Sequence, residues 1–229
     1  MDNNIFLRTI IPLLLLMGMG FFSRKMGFLR FGDERVLNAY VYYFALPALF
    51  FVNMVETNFT EKNLRFMLAG TFPIFTVLAI YIFLYFIFRF SKNTLYLLIP
   101  STIFGSFAFF GIPFITFAFP VEGEYLATVS AASISITSVP ISITALELYE
   151  LEKSRIWEGL KRVGKRLSRN PLIISIFSGV VLSITGVEMP LPISASLHML
   201  GSTTSTVAIF MLGVFLYGRK YKNVIKAFR

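Results

Sequence analysis

The sequence predicts an all-α membrane protein with seven transmembrane helices, and three observations lead to that prediction. Of its 229 residues, 56% are hydrophobic and only 14% are charged, a balance that excludes an ordinary soluble domain. The apolar residues fall into seven runs of about the length that crosses a bilayer. The Lys and Arg residues collect in alternate connections between those runs, a bias typical of multi-pass membrane proteins.

Each apolar run is a candidate transmembrane helix, although the sixth is short. In chain order the runs are Ile5–Phe22, Val36–Val55, Phe66–Phe88, Leu95–Phe119, Tyr125–Leu146, Pro171–Val187 and Ile193–Tyr217. The flank before the first run carries no net positive side-chain charge, so we interpret that run as a membrane helix rather than a cleaved signal.

The distribution of positive charge predicts the orientation of these helices. Of the 21 Lys and Arg residues, 18 lie in the connections after runs one, three and five or in the C-terminal tail. Only Arg8, Lys62 and Arg65 lie on the opposite side. The positive-inside rule therefore places the N-terminus outside and the C-terminus in the cytoplasm of a multi-pass cell-membrane protein. Because the net charge of +9 follows the topology, it does not indicate a nucleic-acid partner.

The fourth run contains a predicted helix break. It has no charged residue, but small or helix-breaking residues interrupt its centre: Gly105, Ser106, Ala108, Gly111 and Pro113. In hydrocarbon such a break persists only where protein or a water-filled cavity satisfies the freed backbone groups. Transporters place substrate sites at breaks of this kind. A proline-kinked packing helix is the alternative interpretation.

The longest connection predicts a basic amphipathic helix. Its apolar residues recur at helical spacing, with basic residues between them: Ile156, Trp157, Leu160, Val163 and Leu167. We expect this helix to lie on the cytoplasmic leaflet, with membrane lipids as its partner. A solvated linker is the alternative.

An internal repeat divides the chain. A shift of 159 residues aligns landmarks without a gap: Pro12 with Pro171, Gly20 with Gly179, Gly27 with Gly186 and Phe51 with Phe210. Because the second copy follows five helices, it is inverted in the membrane, as in many secondary transporters. The predicted organisation is a five-helix repeat over 1–149, a basic loop over 150–170, the first two helices of the inverted repeat over 171–217, and a basic tail over 218–229.

A complete second repeat would need roughly 140 residues, as the first does, whereas 59 follow Asn170. We therefore expect the sequence to be truncated after the seventh helix and unable to transport alone. It would pair with a second copy, as a homodimer, or with a separately encoded C-terminal remainder.

Several motifs resemble those of the auxin efflux carrier family of permeases, which belongs with the bile acid/sodium symporter group. The matching stretches are GFFSRKMGFL at 20–29, YYFALPALFF at 42–51, Ser106–Pro113, Arg169–Leu172, Leu200-Gly201 and Leu212-Gly213. The chain departs from the family pattern at Ser106, where an Asn is expected, at Thr206, where a Pro is expected, and in lacking helices eight to ten.

The resemblance implies a permease for small organic anions such as carboxylates, with the substrate at a crossing of two broken helices. Its substrate-binding residues would be those of the break: Ser106, Ala108, Gly111, Ile112 and Pro113. If a half-helix restarts at Pro113, its first amides, near Phe114 to Thr116, lack intrahelical acceptors and form a positive pole for an anion. Close packing of helices through small residues is the alternative role.

Polar residues on neighbouring helices complete the candidate site. Hydroxyls along one face of helix five could reach the break, although hydroxyls of this kind also bond their own helix carbonyls. They belong to Ser130, Ser133 and Thr137, with Pro140 on the same face. Asn53 near the end of helix two could face the substrate path; a position at the membrane interface is the alternative. His198, the only His, is expected to form hydrogen bonds at the membrane interface; a proton-relay role is the alternative.

Catalytic chemistry has no candidate residues in this sequence. There is no cysteine, no metal-ligand cluster and no phosphate-binding glycine loop, so we expect neither an enzyme nor a metal or other cofactor. Two other functions remain open: a non-transporting membrane scaffold that dimerises, and a seven-helix receptor. A retinal-type receptor is disfavoured because helix seven has no lysine before Lys220.

Overall fold

The computed structural model describes residues 5–103, 105, 107–150 and 156–217, and the regular elements in these ranges are all helical. Ser106 of the candidate site and the basic tail 218–229 lie outside the described residues.

The helices are named α1 to α10 in chain order. Their bounds are Ile5–Lys25 (α1), Asp33–Tyr40 (α2), Leu46–Glu56 (α3), Glu61–Phe88 (α4), Lys92–Ile103 (α5), Ile112–Ala118 (α6), Gly123–Glu150 (α7), Ile156–Leu167 (α8), Pro171–Thr185 (α9) and Leu191–Tyr217 (α10). A π-helical turn, Val41–Ala45, joins α2 to α3, and a second one, Phe107–Gly111, precedes α6.

Five helical stretches within the described residues are long and apolar enough to cross a membrane, so the chain is a multi-pass membrane protein. They are Asp33–Glu56, Asn63–Phe88, Lys92–Ala118, Gly123–Tyr149 and Leu191–Tyr217. The first predicted span corresponds to the 21-residue α1. The sixth corresponds to α9, which has 15 residues and reaches spanning length only with part of α8, across a bend of 65°. The seven-span arrangement therefore stays a prediction.

The bend before α9 has a clear local cause. Asn170 caps α9, because its side-chain oxygen accepts hydrogen bonds from the amides of Leu172 at 3.0 Å and Ile173 at 3.3 Å. Pro171 occupies the first turn, where its missing N–H costs nothing. At the other end, Gly186 takes the left-handed conformation, with φ of 66°, that terminates many helices.

Four helices, α1, α3, α9 and α10, form what we name the first helix group. Met17 and Phe21 of α1 lie beside Gly213 and Tyr217 of α10, so these two helices run in the same direction. The helices α3 and α9 are likewise parallel, because Gly179 lies beside Phe51 and the Ser183 hydroxyl donates to the carbonyl of Thr57 at 2.9 Å.

The two parallel pairs run in opposite directions. Two contacts join α10 to α2 and α3. The hydroxyl oxygens of Tyr40, at the end of α2, and Thr203 lie 2.8 Å apart. Oε1 of Glu56, at the end of α3, lies 2.6 Å from Nε2 of His198. One sequence number rises as the other falls, so α10 and α3 run in opposed senses, although they cross steeply, because 16 residues along α2 and α3 correspond to 5 along α10. It follows that α1 and α9 also run in opposed senses.

The helices α4, α5, α6 and α7 form the second helix group. A buried apolar cluster joins α4, α5 and α7 through Ile74, Ile99, Ile103 and Ala145. A larger cluster joins α6 and α7 to α3 and α9, with fully buried Ile112 of α6 among its members. The helix break between α5 and α6 therefore lies where the second group packs on the first.

Candidate functional site

The broken fourth span is the centre of the candidate site. Its first half, α5, ends at Ile103, and helical geometry resumes at Phe107 in a π-helical turn that continues into α6. The α-helix proper begins at Ile112 with Pro113 in its first turn, close to the restart considered from the sequence, but the π-helical turn extends helical geometry back to Phe107. A π-helical turn is wider than an α-helical one, which gives the ring of Pro113 room beside the preceding carbonyls. The amides without intrahelical acceptors therefore belong to the turn that begins at Phe107.

Gly105 lies between the two halves, close to the aromatic ring of Phe107. Its amide donates to the carbonyl of Ile103 at 3.0 Å. A Cβ atom built on Gly105 would lie only 2.7 Å from that ring. Glycine is therefore the residue that fits this close approach without moving the ring.

A cavity of about 430 Å³ lies beside the break, between α4, α6 and α7. The second half of the broken span lines it with residues at every fourth position: Phe107, Gly111, Ile115 and Phe119. The other walls come from Phe66 of α4 and, on α7, from Leu126, Ala127, Ser130, Ala131 and Ile134. A Cβ atom built on Gly111 would meet nothing within 4 Å, so the missing side chain keeps this part of the cavity open.

The cavity walls are almost entirely apolar. Among the lining residues that the structure describes, Ser130 is the only one with a polar side chain, and none carries a charge. An anion bound there would therefore be held by hydroxyl and backbone N–H groups rather than by an ion pair. Its apolar parts would contact aromatic rings.

The structure separates the predicted break residues into two sets. Gly111 lines the cavity, whereas Ile112 and Pro113 are buried, with Ile112 in the larger apolar cluster. Ala108 is partly buried and packs against the same cluster. Ser106, another predicted substrate-binding residue, lies outside the described residues.

Of the predicted polar residues on other helices, Ser130 lines the cavity, whereas three others bond within their own helices. The hydroxyl of Ser133 donates to the carbonyl of Val129 at 2.7 Å, and that of Thr137 donates to Ser133 at 3.4 Å. The side-chain amide of Asn53 donates to the carbonyl of Leu49 at 2.9 Å. The alternative given for these hydroxyls, bonding to their own helix, matches this arrangement.

Sequence reasoning missed most of the cavity lining. Phe107, Ile115 and Phe119 repeat at intervals of four and eight from one another, which marks one face of a helix. This spacing would have identified the three residues as one helix face if the second half of the broken span had been predicted to begin at Phe107 instead of Pro113. Within the described ranges, no three His, Asp or Glu side chains cluster closely enough to hold a metal ion.

Comparison with known families decides the class of protein. The family described as "Membrane transport protein" has a model that matches residues 5–228. The chain belongs to this transporter family. This membership confirms the resemblance to auxin efflux carriers that the sequence motifs indicate.

Individual members of the transporter family are distant relatives. The chain is 24% identical to the Escherichia coli K12 protein named "Uncharacterized transporter YfdV", over 95% of this chain and 70% of the relative. It is 27% identical to the Rhizobium meliloti protein named "Putative malonate transporter", over 82% of this chain and 59% of the relative.

Proposed function

We propose that this chain takes part in secondary transport of small organic anions, with the substrate held at the break between α5 and α6. The observation that carries the proposal is a broken membrane span whose second half opens, at Gly111, onto a cavity in a member of a transporter family. The name of the Rhizobium relative suggests dicarboxylates such as malonate as the first substrates to try.

The packing of the first helix group favours the inverted-repeat architecture that such transporters use. Gly20 lies against the carbonyl of Phe210, and Gly179 lies against the carbonyl of Phe51. The two contacts are related by the same 159-residue shift, and the helices that the shift pairs run in opposite directions. We therefore propose a scaffold formed by both repeats, with the N-terminus outside and the C-terminus in the cytoplasm.

In the proposed site, the anion is bound by the free amides of the turn that begins at Phe107 and by the hydroxyl of Ser106. Such amides bear partial positive charge and bind anions without a cationic side chain. Gly111 leaves the space, and Ala108, Ile112 and Pro113 hold the turn against the rest of the protein. The proposal does not use the polar groups of Ser133, Thr137 and Asn53, because these bond their own helices.

Anion binding to the purified 229-residue chain tests the proposal. Thermal unfolding in detergent is measured with malonate and with its neutral diamide, which has the same shape without the charge. Malonate at a hundredfold excess over its Kd should stabilise the protein by about 2.7 kcal/mol, while the diamide should not. Equal shifts with both compounds, or no shift with any small carboxylate, would contradict the proposed site.

A matched pair of glycine variants locates the site. Gly111→Leu should remove the malonate-dependent shift, because its side chain fills the cavity. Gly18→Leu on α1 makes the same change at a second glycine whose Cβ would meet nothing within 4 Å, and it should retain the shift. Counterflow of radiolabelled malonate in liposomes then distinguishes a carrier from a scaffold that binds without transporting.

A further inference from the structure

The amphipathic helix α8 leaves the direction of the membrane spans. Its residues from Gly159 onward make an angle of 65° with α9, which it joins through Asn170. Gly159 and Val163 are buried, and α8 packs against the end of α7. The helix α7 is long and apolar enough to span the membrane, and α9 is the sixth predicted span, so α8 connects them at the level where both would meet the same surface of the bilayer.

A buried carboxylate fixes the rotation of α8 about its own axis. Glu147 of α7 has a side chain only 1% exposed, and its Oε1 atom lies 2.8 Å from Nε of Arg166. Its Oε2 atom lies 3.7 Å from Nε of Arg162. These two arginines are one turn apart on α8, so together they turn one side of the helix towards α7.

The side of α8 turned away from α7 carries a different set of residues. Lys161 and Lys165, also one turn apart, are exposed, and Leu160 beside them is 54% exposed. A Cβ atom built on Gly164 would meet nothing within 4 Å. Cationic side chains next to an exposed apolar residue, at the level of the bilayer surface, are the pattern of an interfacial helix.

We propose that the face formed by Leu160, Lys161, Gly164 and Lys165 binds the headgroups of anionic phospholipids. Leu160 enters the interfacial region, and the two ammonium groups contact lipid phosphates at the end of their flexible stems. The charge of the face favours an anionic partner, and its position beside two membrane helices favours a lipid over a soluble anion. Glu147 acts as a positioning residue that keeps this face turned outward.

This inference goes beyond the proposed function, because it does not depend on the substrate or on transport. Each lysine should contribute about a fivefold factor to lipid association, which corresponds to about 1 kcal/mol for one charge near an anionic surface. The association should weaken in high salt, because exposed charges are screened.

A fluorescent probe on α8 provides the test. The chain contains no cysteine, so Gly164→Cys creates a single labelling site for an environment-sensitive dye. The labelled full chain is reconstituted in vesicles of phosphatidylcholine alone or of phosphatidylcholine and phosphatidylglycerol in equal parts. We expect the emission to shift to shorter wavelength in the anionic vesicles only. Free inorganic phosphate added to the phosphatidylcholine vesicles should produce no shift.

Charge variants assign the effect to the two lysines. The double change Lys161→Gln and Lys165→Gln should abolish the lipid-dependent shift, whereas Lys161→Arg with Lys165→Arg should retain it. Lys92→Gln serves as the matched control, because it removes an exposed lysine at the start of α5. Identical emission in both kinds of vesicle would overturn the proposal, as would a shift that survives loss of both lysines or one produced by free phosphate.

Discussion

Gly179 on α9 lies so close to Phe51 on α3 that a Cβ atom built on the glycine would be 2.7 Å from the backbone oxygen of the phenylalanine. The contact between Gly20 and Phe210 repeats this relationship on the other parallel pair. In membranes, where helices gain little from the hydrophobic effect, small residues allow the close backbone approach that holds helices together.

Alanine at either contact glycine should therefore loosen the first helix group. We expect Gly20→Ala and Gly179→Ala each to destabilise the protein by about 1–3 kcal/mol, the usual cost of overpacking. Gly18→Ala should be neutral or slightly stabilising, because it gains helix propensity and meets no neighbour. Apparent melting temperatures in detergent provide the comparison. If all three variants behave alike, the contacts do not hold the group together.

The ion pairs of Glu147 predict an asymmetry between its two sides. Replacing both Arg162 and Arg166 by Gln leaves a buried carboxylate uncompensated, at a cost of about 3–5 kcal/mol. Glu147→Gln should cost much less, because the two arginines are 46% and 49% exposed and can be hydrated by water. Unfolding of the single and double variants in one detergent measures the difference. Equal losses of stability in Glu147→Gln and in the double arginine variant would show that the buried carboxylate does not depend on its arginine partners more than they depend on it.

The cap of α9 is the third prediction. Asn170→Ala should cost about 1 kcal/mol, because two amides of the first turn lose their acceptor. Asn170→Asp should recover most of the loss. Thr60→Ala at the start of α4 is the control and should cost less, since its side chain accepts only one long bond, of 3.4 Å. A lowered melting temperature for Thr60→Ala alone would contradict this order.

The contact between Glu56 and His198 should contribute little to stability, although Oε1 of the glutamate and Nε2 of the histidine are only 2.6 Å apart. Both side chains are about half exposed, so solvent screens the interaction, and pairs of this kind contribute about 0.2–1 kcal/mol. A double-mutant cycle with Glu56→Gln and His198→Asn measures the coupling directly. A coupling well above 1 kcal/mol would show that the pair is shielded from solvent in the membrane.

The hydrophobic runs predicted most of the architecture. The five stretches that meet the spanning criteria begin and end within three residues of the corresponding predicted runs. Apolar composition is a direct consequence of burial in lipid, so it marks membrane helices reliably. The 159-residue shift also aligned the residues of two equivalent contacts in the first helix group. It paired Gly20 with Gly179 and Phe51 with Phe210, and each glycine lies against a phenylalanine of the other pair.

The candidate site was predicted less well, for two physical reasons. A π-helical turn has no distinctive amino-acid composition, so the sequence did not indicate that helical geometry resumes at Phe107. Pro113 was considered as the start of the second half because proline favours the first turn of a helix. The ion pairs of Glu147 join residues on separate helices, whereas in the sequence Glu147 lies just beyond the fifth predicted run, which ends at Leu146. The helix α7 continues past the end of its apolar run to Glu150, and Arg162 and Arg166 of α8 lie beside the carboxylate of Glu147.

The parallel pairing of α1 with α10 also means that α1 is synthesised well before the helix on which it packs. Arg24 donates a buried hydrogen bond to the carbonyl of Val214, a residue 190 positions later in the chain. At the usual rate of translation that partner is made roughly 10–40 s after Arg24. During this interval the newly synthesised α1 carries the guanidinium of Arg24 near the membrane surface, while the carbonyl of Val214 has not yet been made. Glu34, which lies 3.2 Å from the same guanidinium and follows Arg24 by ten residues, is the partner available through that period.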